Sequence, residues 1–206
     1  MEEFNTSNTP GNPNINSKLF VFLIALVVVV SIIWAYLTPD TGSNMGSKND
    51  SGSQVSSKIT TLALMPANQT LQKGSEFTVD IMLNTAGRDI DGVDIFYLHF
   101  DPKILQVVDS DSASTGIQIA AGGLMSRTLA NIADNAKGTV VLSQVTEASK
   151  KYNGEGKLGI VTFKAVGSGS SELKLDYAPE NTTDSNVSVA GKDILAGVGN
   201  ANVTIQ

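Results

Sequence analysis

Residues 91–108, DGVDIFYLHFDPKILQVV, read as a long strand, a turn at Asp101-Pro102 and a second short strand over Ile104–Val108. The stretch is rich in β-branched and aromatic residues, which suit a pleated, half-buried surface. Proline cannot donate to a sheet ladder, so Asp101-Pro102 has to interrupt the pairing. Side chains alternate along a strand, so Val93–Phe100 offers two faces. Phe96, Leu98 and Phe100 make one face, expected to be core. Val93, Ile95, Tyr97 and His99 make the other, expected to point outward. That second face is too apolar for an ordinary solvated sheet surface. It reads as a recognition surface, or else as a face covered by a loop or by the domain's own terminus.

The same texture extends in both directions from this stretch. Phe77-Thr-Val-Asp-Ile-Met-Leu83 alternates strictly, with Phe77, Val79, Ile81 and Leu83 predicted inward. Lys73-Gly74 precedes it, and Gly87 and Gly92 follow in the next loop, as turn signals. Further strands are expected at Ile59–Met65, Ile117–Ala120, Val140–Thr146, Lys157–Val166, Glu172–Tyr177, Asn186–Val189 and Asn202–Ile205. Gly122–Ala136 fits a short helix and an irregular strand equally. In Val140–Thr146, Leu142 and Gln144 compete with Val141, Ser143 and Val145 for the core. About nine strands with no strong amphipathic helix between them predict an all-β, antiparallel sandwich over residues 58–206.

Upstream the composition changes. Residues 1–18 are a short polar tail, MEEFNTSNTPGNPNINSK, too poor in apolar side chains to build a core. Residues 19–37, LFVFLIALVVVVSIIWAYL, form an uninterrupted apolar run from Leu19 to Leu37. As a helix it would span roughly 28 Å, close to the hydrocarbon thickness of a bilayer. Trp34 and Tyr36 stand where an interfacial aromatic belt would be. The run exceeds the usual core of a cleaved signal peptide and no small-x-small cleavage site follows it, so a single uncleaved transmembrane helix is expected. The shortness of the tail and the bulk of the C-terminal domain favour an outward-facing domain. Residues 38–57, TPDTGSNMGSKNDSGSQVSS, read as a flexible tether with a reach on the order of 25 Å.

Composition and motifs restrict the chemistry. The formal net charge is −6 and no block of Lys/Arg stands out, which argues against nucleic acid. There is no cysteine, hence no disulfide framework, thiol nucleophile or thiolate metal site. His99 is the only histidine and has no carboxylates at ligand spacing, so a structural role is expected of it. Asp109-Ser-Asp111-Ser-Ala-Ser-Thr-Gly116 glances at a calcium loop, but Ser114 and Ala120 stand where glycine and glutamate are needed. Asp184-Ser-Asn186 fails in the same way, so no intrinsic metal site is expected. Carboxylates are scattered without a motif, and neither G-x-S-x-G, H-E-x-x-H nor a P-loop occurs, so no enzyme is expected.

Four pieces in order carry a family resemblance. They are Leu71-Gln-Lys-Gly-Ser-Glu-Phe-Thr-Val79; Gly92-Val-Asp-Ile-Phe-Tyr-Leu-His-Phe-Asp-Pro-Lys-Ile-Leu105; Gly154-Glu-Gly-Lys-Leu-Gly-Ile-Val-Thr-Phe-Lys164; and Ala196-Gly-Val-Gly-Asn-Ala-Asn-Val-Thr-Ile205. Together they resemble a cohesin domain over about Ile59–Ile205. The resemblance implies a jelly-roll β-sandwich in the superfamily of carbohydrate-binding modules. It also implies a protein partner, the dockerin, which carries two calcium loops; calcium would then sit on the partner, and this chain would need no cofactor. In cohesins the strand corresponding to Val93–Phe100 lies in the sheet that meets dockerin. The resemblance therefore makes Val93, Ile95, Tyr97 and His99 candidate contacts, joined by Ser143, Val145 and Glu147 on a later strand of the same sheet. The single domain and N-terminal anchor depart from a typical scaffold protein. Such capture would be linked to polysaccharide binding and degradation, and direct carbohydrate binding by the domain itself is one alternative function. It is weakened because the only Trp, Trp34, lies in the apolar run. A structural or adhesin domain of a surface appendage is another.

Overall fold

The Asp101-Pro102 turn is where the chain changes sheets. A computed structural model describes residues 59–206; the expected tail, the Leu19–Leu37 span and the linker lie outside the described residues. The chain runs through β1 (Thr61–Met65), β2 (Asn68–Leu71), β3 (Glu76–Asn84), β4 (Gly92–His99) and β5 (Leu105–Val107). It continues through β6 (Ala120–Ala121), β7 (Arg127–Asp134), β8 (Thr139–Val145), β9 (Glu155–Ala165) and β10 (Gly169–Leu175). Last come β11 (Asn186–Val189), β12 (Lys192–Asp193), β13 (Gly197–Gly199) and β14 (Ala201–Ile205).

One sheet has the order β13-β1-β3-β9-β5, with β6 also on β9. The other has the order β12-β11-β4-β10-β14-β2, with β8 paired to β4 and β7 to β8. Within it β4 is the hub. Its whole length pairs with β8, while its opposite edge takes β11 near Gly92–Asp94 and β10 near Leu98–His99. The expected antiparallel arrangement is modified at two edges, where β1 pairs with β13 and β2 with β14 in parallel. Gly122–Ala136 contains the strand β7 rather than a helix, in register with β8 from Arg127↔Val145 to Asp134↔Thr139.

The core lies between the sheets. The expected inward set of β3 is buried, Val79, Ile81 and Leu83 completely. Phe77 stacks on Phe163 of β9, with ring centroids 5.7 Å apart, and Phe100 meets Phe163 edge-on from the other sheet at 5.3 Å. Apolar burial of this kind is the main favourable term for such a domain. At the sheet crossing, Asp101 Oδ1 accepts the Lys103 N–H at 2.8 Å, and its carbonyl accepts the Leu105 N–H at 2.9 Å. The Asp101 N–H donates to the Ser171 hydroxyl of β10 at 3.0 Å, which ties the turn to its sheet, and the turn delivers Leu105 and Val107 to the first sheet.

The β7–β8 hairpin is braced from outside its own sheet. Asn135 accepts from the Val107 N–H at 2.7 Å and donates to the Val107 carbonyl at 2.9 Å. Asn131 does the same with Ile119, at 3.0 and 2.7 Å. Each amide imitates a peptide unit and satisfies main-chain groups that have no strand partner. The hairpin turn requires Gly138, which has φ +70°; a Cβ there would lie 2.2 Å from the Phe100 carbonyl oxygen.

Candidate recognition face

β4 does not alternate without interruption. Ile95 opposes Leu142 and Leu98 opposes Val140, so β4 carries one more residue than β8 between those pairs. This is a β-bulge, and an inserted residue reverses the phase of every side chain beyond it. Val93 and Ile95 are therefore buried, at 1% and 0% exposure, which corrects the expectation that they point outward. Phe96, expected in the core, is 46% exposed. After the bulge the expected phase holds: Leu98 and Phe100 are buried, whereas Tyr97 and His99 are partly exposed. The bulge N–H of Phe96 faces the Ser185 hydroxyl at 3.3 Å, so the main chain there is not left bare.

β8 presents the matching row. Val140, Leu142 and Gln144 are buried, while Val141, Ser143 and Val145 are partly exposed. Ser143 donates its hydroxyl to Asp94 on β4. Glu147 lies just beyond the strand and pairs with Lys150 at 2.8 Å. β7 completes the surface with Ile132, 51% exposed and opposite Val141, and with Leu129, 59% exposed at a second bulge. Neither was singled out in the sequence. Their i, i+3 spacing is the same spacing that made this segment resemble a helix.

The result is an apolar patch of Phe96, Tyr97, Val141 and Ile132, with the Ser143–Asp94 pair between it and Val145. Phe96 and Tyr97 meet edge to face at 4.7 Å, with an interplanar angle of 69°. His99 lies 3.5 Å from Asp176, both side chains nearly half exposed. At the other end Asp91 is held below the usual carboxylate range, first by the hydrogen bond from the Lys151 ammonium; burial opposes this and the Ala190 N–H assists it. The outer face of the other sheet is different in kind. There Lys157 pairs with Asp80 at 2.8 Å, Lys164 lies 4.0 Å from Glu76 and Thr78 opposes Thr162, while Ile160 and the half-exposed Met65 flank Asp80.

No family model and no curated protein matches the sequence. Solved structures do. A non-cellulosomal cohesin from the hyperthermophilic archaeon Archaeoglobus fulgidus aligns at 16% identity and a TM-score of 0.52, over 72% of this chain and 92% of its own. A type II cohesin domain from the cellulosome of Acetivibrio cellulolyticus aligns at 20% identity and a TM-score of 0.57, over 71% of this chain and 95% of its own. The domain has a cohesin-like fold. A chain from a type I cohesin–dockerin complex of Clostridium thermocellum aligns at 13% identity and 0.54, over 72% of this chain and all of its own. Identity this low establishes the architecture and no more. In this cohesin-like sandwich the hub strand β4 carries the core residues Ile95 and Leu98, the exposed Phe96 and the partly exposed Tyr97.

Proposed function

We propose that the chain is a single-pass, membrane-anchored binding module that displays its cohesin-like sandwich outside the cell and captures a dockerin-like protein partner. The observation that carries this reading is the asymmetry of the two outer faces. One bears the aromatic pair Phe96–Tyr97 beside Val141 and Ile132; the other bears cross-strand ion pairs and, as its apolar exposure, the aliphatic Met65 rather than an aromatic pair. Aromatic anchors ringed by polar groups are what concentrate binding energy at protein interfaces. The contacts proposed are Phe96, Tyr97, His99, Val141, Ser143, Val145 and Glu147; Val93 and Ile95 act from beneath, as core. Anchoring rests on the apolar run Leu19–Leu37, and the tether of residues 38–57 gives the domain freedom to turn toward its partner. Phe96 and Tyr97 meet edge to face and not as a coplanar pair, which supports a protein partner, with polysaccharide reaching this chain through that partner.

The test is to immobilise residues 58–206, pass over them the secreted proteins of the source organism with calcium, and elute with chelator. Recovery of proteins sharing a duplicated calcium-loop module is expected, and a Tyr97→Ala column should retain less of them. Retention on insoluble polysaccharide alone would overturn the reading in favour of direct carbohydrate binding.

A further inference from the structure

Beside the apolar patch lies a depression of about 420 Å³ lined by Asp94, Phe96, Ser143, Thr182, Asp184 and Asn186 among others. Asp184 is only 5% exposed. Its Oδ2 accepts the Ala178 N–H and so ties the loop from Ala178 to Ser185, but its buried Oδ1 has no hydrogen-bond partner. Asn186 repeats the pattern. Its amide nitrogen donates to the Asp184 carbonyl, and its buried Oδ1 has no partner. Asp94 is the cross-strand neighbour of Asn186 on the β4–β11 ladder. Among the described residues, neither Asp94 nor Asp184 has a Lys or Arg in ion-pair contact.

A buried carboxylate oxygen without hydrogen bond or counter-charge is strongly unfavourable, and proteins resolve it by pairing, by protonation, by an ordered water or by binding a metal. We propose that Asp184, Asn186 and Asp94 hold a divalent cation of the calcium class, with the Thr182 and Ser143 side chains beside them. The donor set is all oxygen, because the single histidine does not line the depression. Such ligands select hard cations, and an irregular cluster from a loop and two strands suits the flexible shell of calcium better than the strict octahedron of magnesium. Among the described residues no three carboxylate or imidazole groups gather at one metal-binding point, so the charge count is low. Affinity therefore belongs in the range of extracellular modules, about 0.1–1 mM. The sequence expectation of no metal site followed contiguous loop spacing; these ligands come from two strands and the segment before one of them, which no linear motif displays.

The test uses the full-length chain in mild detergent with no partner present, so its result does not depend on what the recognition face binds. Thermal unfolding is followed against CaCl₂, with NaCl at matched ionic strength and MgCl₂ as controls. The melting temperature is expected to rise with calcium and to saturate at millimolar concentration, with a smaller response to magnesium and none to sodium. Asp184→Asn and Asp94→Asn should each melt cooperatively and lose at least most of the calcium response. Identical melting in calcium and in chelator would overturn the proposal and assign the bare oxygens to bound water. A full calcium response in both variants would overturn it equally.

Discussion

Ile95 and Phe96 adjoin in the chain and serve opposite ends. Ile95 is fully buried beneath the sheet, so Ile95→Ala removes apolar volume from a packed interior and should cost about 2–4 kcal/mol. Denaturant unfolding would show this as a lower midpoint with an unchanged slope. Phe96 is nearly half exposed, and Phe96→Ala should change stability by less than about 1 kcal/mol. Its effect should appear in capture instead, as a dissociation constant raised roughly tenfold, equivalent to about 1.4 kcal/mol. Tyr97→Ala should behave likewise, weakening capture by more than about 1 kcal/mol with the fold intact. If either surface variant loses stability and keeps its affinity, the patch is covered core and the partner docks elsewhere.

At the scale of elements, the β7–β8 hairpin supplies half of the proposed face, and its position depends on two asparagine side chains. Asn135→Ala would strip the Val107 N–H and carbonyl of their partners, and Asn131→Ala would do so at Ile119. Two hydrogen bonds and a buried main-chain pair are lost each time, a cost of about 2–3 kcal/mol. Amide exchange should report it locally: Val107 loses protection in the first variant, Ile119 in the second. Unchanged exchange at those amides would mean that water replaces the side chains without loss. These braces could not be read from the sequence, where both residues look like ordinary polar positions on a solvated strand. β3 could be read in full because its alternation is unbroken. β4 was half legible. Asp94 and His99 are both polar and five positions apart, so in an unbroken strand they would face opposite ways; only an inserted residue lets both stay outside. Asn68–Leu71 and Gly197–Gly199 carry no apolar alternation and become strands through parallel pairing with β14 and β1, a long-range fact that local pattern does not encode.

For the whole molecule, the carboxylates with shifted titration predict how stability follows pH. Asp91 is lowered mainly by the Lys151 hydrogen bond, Asp111 by the Ser114 hydroxyl, and Asp134 by the Lys137 N–H. A carboxyl group whose folded value lies below its unfolded one stabilises the fold above the unfolded value and loses that contribution as pH falls through the folded one. With the ordinary value at 3.8, these groups give a plateau near neutrality and a decline below about pH 4. Tyr152 is raised by burial and then by Glu155, so its contribution is present below the ordinary value of 10.0 and is lost as pH rises through the folded value. Urea midpoints measured from pH 3 to 10 should therefore be flat between about 5 and 9. Asp91 sits where β4 begins, tied to Lys151 in one loop and to the Ala190 N–H in another, so Asp91→Asn should shrink the acid decline. Salt should shrink it too, because this pair is accessible to solvent and therefore screened. A midpoint already falling between pH 7 and 6 would place the controlling group elsewhere.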